Sequence, residues 1–334
     1  MRSLDDQLSW PPSFSRENYA GRSHDRGDGV SYWFATRLSG RDPAHRRAPS
    51  TPSKEVTLPR ILGHRGARLL APENTLPGFR AAIADGADGV ELDVRRTADQ
   101  ALVCLHDAGL GRTTNGRGPV REHTLAEIRR LDAGARHGPG GRNGHRRAVH
   151  PGGPWVGVPT LAEALDGLPP GALVDVEVKC RGEGPDGPAQ VAELLAETLA
   201  GRPDRDRLLV SSFSRKLVAA AVPALGGIHV GLVSSALVPL GRALRAAELC
   251  GCSLLAAQAP AYFGPKAKLT ASRAVDAGFQ LLAWTVDDPE TARRLADLGV
   301  ELIVSDRPGE LRRALDAAPS RGPALGGGAP EPPR

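Results

Sequence analysis

The chain has 334 residues, of which 40% are hydrophobic, 24% are charged and only 4% are aromatic. This apolar content is enough for a sizeable core of small aliphatic side chains, and it excludes wholesale disorder. The formal net charge is +5, but the basic excess lies in residues 1–60 and 134–150, where Gly, Pro and Ser are frequent. Such stretches are typical of solvated loops, so we expect no nucleic-acid partner.

Cysteine usage and hydropathy indicate a reduced compartment and no membrane span. Cys250 and Cys252 form a C-x-C pair that lacks a second pair or histidines at zinc-binding spacing. The N-terminal residues contain no apolar core of a signal peptide. Residues 217–241 carry no Asp, Glu, Lys or Arg, but Pro and Gly interrupt them, which favours a helix, a turn and a strand. We therefore expect a cytoplasmic protein.

Composition divides the chain into three segments. Residues 1–57 lack sustained periodicity and are predicted to be a disordered extension, and residues 319–334 are predicted to be a disordered tail. In residues 58–318, short aliphatic runs alternate eight times with Ala- and Leu-rich runs. This alternation predicts an α/β fold, a (β/α)8 TIM barrel, with a small insertion at about residues 97–158 between strand 2 and helix 2.

The predicted elements follow one another in chain order. The predicted strands are Arg60–His64, Gly89–Arg95, Leu173–Lys179, Leu208–Ser212, His229–Val233, Ser253–Gln258, Gln280–Val286 and Leu302–Ser305. The predicted helices are Thr75–Asp85, Thr160–Asp166, Pro188–Ala200, Ser214–Ala224, Gly241–Leu249, Ala267–Ala277, Pro289–Leu298 and Pro308–Ala317. Asn74 and Asp288 are expected to cap the first and seventh of these helices, because both are good N-cap residues.

The first predicted strand ends in the tetrapeptide GHRG. Its glycines permit a tight turn close to a ligand, and they place His64 and Arg65 at the mouth of the barrel. The tetrapeptide PENT then leads into the first helix, whose N-terminus favours an anion. Glu73 and Asn74 are predicted to support the site from this approach.

Acidic residues alternate with aliphatic ones on the second and third predicted strands. Glu91 and Asp93 share one face of the second strand, which points inward if the aliphatic face packs under the helices. Adjacent ionised carboxylates repel each other, and a hard divalent cation relieves that repulsion. The alternative is an ion pair with Arg95 or Arg96.

On the third predicted strand, Asp175, Glu177 and Lys179 alternate with valines in the same way. Glu177 then becomes a third oxygen ligand for a cation, and Lys179 becomes a partner for a phosphate group. The alternative interpretation of this strand is a buried pair between the glutamate and the lysine.

Two further residues have two interpretations each. His106 ends a hairpin-like run in the insertion, and it is either a surface histidine or the second half of an acid–base pair with His64. Trp284 faces inward on the seventh predicted strand, and it either fills the core or forms a wall for an alcohol group. A cation and basic side chains suit an anionic substrate. A pair of histidines suits attack on phosphorus with a protonated leaving group. The sequence has no Walker loop, dinucleotide-binding glycine motif, nucleophile elbow or HExxH motif.

Several motifs occur in one fixed order between residues 62 and 308. They read HRG, PENT, ELD, HD and RTTNG, followed by VDVEVK, SSF, WTVDD and VSDRP. In this combination the chain resembles the glycerophosphodiester phosphodiesterase family. The resemblance implies a barrel enzyme that hydrolyses glycerophosphodiesters to an alcohol and sn-glycerol 3-phosphate, with a divalent metal ion, calcium or magnesium, as cofactor.

The resemblance also implies a role for individual residues. It implies that His64 and His106 are general acid and base, that Glu91, Asp93 and Glu177 hold the metal, and that Arg65 and Lys179 bind the phosphate. Trp284 is our further candidate for substrate binding. Asp175 departs from the asparagine that is frequent in the family. The alternative activity is that of a lysophospholipase D or phospholipase C-like phosphodiesterase, and a second alternative is a binding protein without turnover. The insertion has few large apolar residues, which favours water-soluble substrates, and its basic part could give weak contact with an anionic lipid surface.

Overall fold

The structure is a computed structural model that describes residues 58–135 and 155–317. The predictions for the N-terminal extension, for the C-terminal tail and for most of the basic loop at 134–150 lie outside the described residues.

Eight parallel strands close into a barrel, which confirms the predicted fold class. In chain order the strands are β1 (Arg60–His64), β2 (Gly89–Arg96), β3 (Leu102–Cys104), β4 (Leu173–Val178), β5 (Leu208–Ser212), β6 (His229–Ser234), β7 (Leu254–Gln258), β8 (Gln280–Trp284) and β9 (Leu302–Ser305). The spatial order of the barrel strands is β1-β9-β8-β7-β6-β5-β4-β2, and β2 pairs with β1 to complete the ring. The remaining strand, β3, runs antiparallel on the edge of β2.

Helices follow the barrel strands as predicted, with ends that differ from the predicted ones by no more than two residues. An additional short helix, α2, belongs to the insertion. The helices are α1 (Leu76–Ala84), α2 (Leu125–Ile128), α3 (Leu161–Asp166), α4 (Gly187–Leu199), α5 (Arg215–Ala224), α6 (Leu240–Leu249), α7 (Ala267–Asp276), α8 (Pro289–Ala296) and α9 (Pro308–Asp316).

The cap of α1 differs from the prediction. Thr75, not Asn74, is its N-cap, and the Thr75 hydroxyl accepts a hydrogen bond from the backbone N–H of Gly78 at 3.2 Å. Asn74 has a left-handed φ of 56°, and its side chain hydrogen-bonds to Asp93 instead. Asp288 caps α8 as predicted, because its carboxylate accepts a hydrogen bond from the Thr291 N–H.

The two faces of the barrel wall carry different side chains. Val90, Leu92 and Val94 of β2 pack in the large core between the barrel and its helices. Glu91 and Asp93 alternate with them, and they therefore point into the barrel. A smaller apolar cluster fills the rest of the interior: Leu62, Leu209, Val233, Leu254, Ala256, Leu282, Leu302 and Val304. The acidic mouth thus lies above an apolar floor.

The insertion begins with the predicted hairpin. Cys104 of β3 lies opposite Val94 of β2, and the segment that follows has a small apolar core of its own that includes Leu110 and Ile128. This packing fixes the start of the insertion against the barrel mouth. The uncharged stretch 217–241 forms most of α5, then β6 and the start of α6. Across residues 58–135 and 155–317, none of the helices combines the length and the apolar character that crossing a bilayer requires.

Arg207 joins the loops at the opposite end of the barrel. Its side chain is buried and donates to the backbone carbonyls of Ala172 at 3.0 Å and Leu165 at 2.8 Å, and to the carboxylate of Asp204. We expect Arg207→Ala to lower the free energy of unfolding by about 3 kcal/mol, because two buried backbone carbonyls lose their donor and Asp204 loses one of its two arginine partners, Arg202 being the other. Urea titration measures this loss. A loss no larger than that of Arg80→Ala, which truncates an exposed arginine, would contradict the prediction.

Candidate active site

His64 ends β1 and is paired with a carboxylate from the far end of the chain. Its Nδ1 lies 2.6 Å from Oδ1 of Asp306, which directly follows β9, the neighbour of β1 in the barrel. Burial alone would raise the pKa of Asp306, but the hydrogen bond and charge of His64 hold that pKa below its usual value. An ionised Asp306 therefore fixes the orientation of the imidazole through its Nδ1.

The turn after His64 brings its backbone close to the backbone of α1. Arg65 and Gly66 both have positive φ angles, 56° and 81°. A Cβ on Gly66 would lie 2.6 Å from the carbonyl carbon of Gly78, so only glycine fits there. This conformation directs the backbone N–H of Arg65 to Oε2 of Glu91, at 2.9 Å.

Three carboxylates converge at the mouth of the barrel. The parallel register places Asp93 of β2 beside Glu177 of β4, and it places His64 of β1 beside Glu91. Glu91, Asp93 and Glu177 each offer one oxygen, and these three oxygens lie within 4.8 Å of one another. The sequence prediction that these side chains share one face and meet is therefore confirmed as geometry.

The three carboxylates repel one another, and burial adds to the cost of ionising them when no positive charge lies beside them. Burial, followed by the charges of Asp93 and Glu177, raises the pKa of Glu91 well above its usual range. Burial is also the largest reason that the pKa of Glu177 is raised. Burial would likewise raise the pKa of Asp93, but Lys179 and Arg65 outweigh it and hold that pKa far below its usual value.

Lys179 and Arg65 supply the compensating positive charge. Lys179 Nζ lies 3.0 Å from Oδ1 of Asp93 and also contacts Oε1 of Glu177. Arg65 Nε lies 3.2 Å from Oδ2 of Asp93. Burial alone would lower the pKa of Lys179, but the adjacent carboxylates raise it, so the ammonium stays charged. The alternative predicted for this strand, a Glu–Lys pair, is therefore present, and the same lysine also reaches β2.

The other predicted alternative is not seen. Arg95 Nε donates to the backbone carbonyl of His106 at 2.8 Å, and Arg96 forms an ion pair with Glu183 at 2.6 Å. Within the described part of the chain, neither arginine forms an ion pair with Glu91 or Asp93.

The donor set suits a hard divalent cation. Oε1 of Glu91 is buried and accepts no hydrogen bond from any described residue. An unpartnered carboxylate oxygen in a buried position is costly unless a cation binds it. Three carboxylates with closely spaced oxygens are the ligand type that calcium, magnesium and manganese prefer.

His106 is held by a chain of charged groups that reaches back to Arg65. Its Nδ1 lies 2.7 Å from Oδ1 of Asp107, and Arg112 Nε donates to Oδ2 of Asp107 at 2.6 Å. The two terminal nitrogens of Arg112 donate to both oxygens of Glu73, at 2.8 and 2.7 Å. Arg65 Nη1 donates to Oε1 of Glu73 at 3.0 Å. Glu73 therefore connects the histidine of the insertion with the cluster of three carboxylates.

Glu73 and Asn74 both lie where they can support the cluster. Burial alone would raise the pKa of Glu73, but hydrogen bonds and charge from Arg112 and Arg65 lower it to about 2. Asn74 donates to Oδ2 of Asp93 at 2.9 Å and accepts from the Asp93 backbone N–H at 3.0 Å. One carboxylate thus orients two arginines, and one amide orients Asp93.

An aromatic pair stands beside Lys179. The rings of Phe213 and Trp284 meet edge to face with centroids 5.7 Å apart, and Lys179 Nζ lies 5.7 Å from the Phe213 centroid. Trp284 Nε1 has no hydrogen-bond partner among the described residues. Trp284 ends β8 at the mouth, and it also packs against the apolar cluster of the barrel interior, which is the core-filling role predicted as one of its two alternatives.

Asp306, Asp107, Arg112 and Phe213 were not predicted as site residues. Their segments carried a usable signal: Asp107 directly follows His106, and Asp306 and Phe213 lie in the VSDRP and SSF motifs. Only the folded chain shows which histidine or lysine each of them contacts.

The fold and the mouth define the class of protein as a (β/α)8 barrel with acidic and basic side chains clustered where barrel enzymes have their active sites. The model of the glycerophosphoryl diester phosphodiesterase family matches residues 64–310. A glycerophosphodiester phosphodiesterase from Caldanaerobacter subterraneus subsp. tengcongensis is 32% identical over 251 residues, which cover 74% of this chain and 94% of that protein. The chain therefore belongs to the glycerophosphoryl diester phosphodiesterase family, and it is a glycerophosphodiester phosphodiesterase.

Solved structures agree with this assignment. A phosphodiesterase from Oleispira antarctica, solved in complex with its product sn-glycerol-3-phosphate, is 29% identical with a TM-score of 0.64, over 78% of this chain and 98% of that one. A putative glycerophosphoryl diester phosphodiesterase from Silicibacter pomeroyi is 27% identical with a TM-score of 0.65, over 77% and 93%.

The charged chain through Arg112 generates a prediction. Arg112→Gln removes the link between Glu73 and Asp107, so the His106 imidazole loses its fixed orientation. We expect kcat to fall by about tenfold to hundredfold with little change in KM, as is typical when a partner of a site residue is lost. Steady-state kinetics with glycerophosphocholine measure this effect. Arg129→Gln, which breaks an exposed pair with Glu163, is the matched control. Equal losses in both variants would contradict the positioning role.

Proposed function

We propose that this enzyme hydrolyses glycerophosphodiesters with one divalent cation bound by Glu91, Asp93 and Glu177, and with His64 and His106 as the proton-transfer pair. The observation that supports the cation is the convergence of three buried or nearly buried carboxylates whose mutual repulsion two basic side chains only partly offset. Calcium and magnesium both accept such oxygen donors. When bound, a divalent cation would polarise a phosphoryl oxygen and stabilise charge that develops on it.

Arg65 and Lys179 are the groups proposed to bind the phosphate. Both are held charged by the carboxylates around them, and both contact Asp93. A phosphodiester brings a negative charge of its own, so these side chains can donate to its oxygens while they still face Asp93. This arrangement orients the phosphorus toward the histidines.

Each histidine is proposed to act through the ring nitrogen that its carboxylate leaves free. Asp306 binds Nδ1 of His64, and Asp107 binds Nδ1 of His106. A carboxylate on one nitrogen fixes the tautomer and makes the other nitrogen the site of proton exchange. One imidazole accepts the proton of the glycerol 2-hydroxyl as its oxygen bonds to phosphorus, and the other donates a proton to the alcohol oxygen as the bond from that oxygen to phosphorus breaks, which leaves a cyclic phosphate. Water then attacks phosphorus and opens the ring, and the two imidazoles exchange roles: one accepts a proton of the water and the other donates a proton to the 2-oxygen. The products are an alcohol and sn-glycerol 3-phosphate, the product that the Oleispira antarctica relative binds.

The aromatic pair is proposed to hold the alcohol part of the substrate. Trp284 and Phe213 form an edge-to-face wall beside Lys179, and the indole N–H of Trp284 has no partner among the residues described. An apolar wall with one donor suits a small alcohol head group next to a phosphate.

Metal removal tests the cation. We expect chelator-treated enzyme to lose release of sn-glycerol 3-phosphate from glycerophosphocholine, and we expect added calcium or magnesium to restore it. Glu91→Gln should weaken cation binding by at least about tenfold, because it removes one charged ligand. Calorimetric titration with each cation measures this. Glu193→Gln, an exposed carboxylate on α4, should bind like wild type. Full activity after complete removal of metal would refute the proposed requirement for a divalent cation.

Histidine replacement tests the proton-transfer pair. His64→Ala and His106→Ala should each lower kcat by about a hundredfold or more, the usual contribution of general acid–base catalysis. Thermal unfolding should stay close to wild type, and His229→Ala, an exposed histidine at the opposite end of β6, should keep normal turnover. The variant that lacks the general acid should recover on a p-nitrophenyl ester of glycerol phosphate, because p-nitrophenolate needs no proton to depart. Near-normal turnover in the double variant would rule out both assignments.

A further inference from the structure

Exposed large apolar side chains collect on three neighbouring loops at the mouth end of the barrel. Phe213 follows β5, Leu237 follows β6, and Phe263 and Leu269 follow β7; their exposed fractions are 49%, 93%, 39% and 62%. Strands β5, β6 and β7 are adjacent in the barrel, so their loops form one continuous stretch of the rim. We call residues 213–216, 235–242 and 263–269 the apolar–basic arc. Such clustering of exposed apolar side chains is typical of an interaction surface.

The same arc is positively charged. Its exposed cations are Arg215, Lys216, Arg242, Lys266 and Lys268. From residue 213 to residue 286, all of which the structure describes, the only acidic residues are Glu248 and Asp276. Both of these lie in the last turns of α6 and α7, at the opposite end of the barrel. The mouth side of this sector thus has five cations and no acid. The flanking loops do contain acids: Glu183 and Asp186 follow β4, and Asp287 and Asp288 follow β8.

We propose that the apolar–basic arc docks the enzyme on the surface of an anionic lipid bilayer. Leu237 and Leu269 would enter the headgroup region, and the surrounding lysines and arginines would lie beside lipid phosphates. Apolar tips combined with Lys and Arg are the composition that binds the interface of a negatively charged membrane. A nucleic acid would satisfy the cations but would gain nothing from an aliphatic side chain as exposed as Leu237.

The arc is continuous with the proposed active site. Phe213 belongs to the arc, and it also contacts Trp284 and lies near Lys179 at the mouth. Because the loops after the barrel strands surround the mouth, docking through the arc would turn the site toward the membrane. The arc shares no residue with the basic stretch 134–150, for which the sequence predicts weak contact with an anionic lipid surface.

Vesicle binding by the full-length protein tests the proposal. We expect co-sedimentation with vesicles of equal parts phosphatidylcholine and phosphatidylglycerol, weaker binding to phosphatidylcholine alone, and loss of binding as salt rises. Leu237→Asp and Leu269→Asp should each lower the partition coefficient by about tenfold or more. Arg242→Glu and Lys268→Glu should each lower it by about fivefold or more. Leu249→Asp is the matched control, because Leu249 is 66% exposed at the opposite end of α6.

Hydrolysis of soluble glycerophosphocholine should stay normal in all five variants, which shows that they are folded. If the wild-type protein does not co-sediment with vesicles that contain phosphatidylglycerol at low salt, the proposal is wrong. Binding that survives the four arc substitutions would also overturn it, since another segment would then carry it, and so would an equal loss in Leu249→Asp. Binding of DNA that depends on Lys268 but not on Leu237 and that excludes vesicles would indicate a polyanion site instead. The vesicle-binding and DNA-binding measurements do not require turnover, so a failure of the proposed catalytic mechanism leaves their outcomes unchanged.

Discussion

Repulsion between acidic side chains on two adjacent parallel strands is the constraint around which this barrel mouth is organised. The register sets Asp93 beside Glu177 and Glu91 beside Asp175, and the side chains of all four alternate with core residues. Burial raises the pKa of Asp175 to about 7. At neutral pH this additional carboxyl group, which lies below the mouth, is therefore partly protonated. Positive charge must therefore be supplied at the mouth, and Lys179 supplies part of it.

The compensating groups are themselves held by other elements, which makes the site a product of the whole fold. Arg65 reaches Asp93 only because the turn after β1 adopts positive φ angles. Glu73 binds Arg65 on one side and Arg112 of the insertion on the other. The insertion is fixed by the hairpin of β2 and β3, so strand pairing, the first loop and the insertion all determine where the charges lie.

The sequence predicted the parts of this architecture that depend on local pattern. Strand–helix alternation and the period of two along β2 and β4 were enough for the barrel and for the carboxylate cluster, because inward and outward positions alternate strictly. Contacts between distant segments had no such pattern: Asp306 lies 242 residues from His64, and nothing near either residue specifies the pairing. The prediction of Asn74 as the N-cap of α1 was wrong for a related reason. The Asn74 side chain hydrogen-bonds to Asp93 of β2, and Thr75 caps the helix instead.

The central claim is that the three carboxylates form one cation site. Manganese also prefers oxygen ligands, and its anomalous X-ray scattering identifies its position directly. A crystal grown with Mn²⁺ should show a single strong anomalous peak bonded to oxygens of Glu91, Asp93 and Glu177, and the peak should vanish in Glu91→Gln crystals or become much weaker. A peak elsewhere in an active enzyme, with those carboxylates bound only to Lys179 and Arg65, would contradict the account.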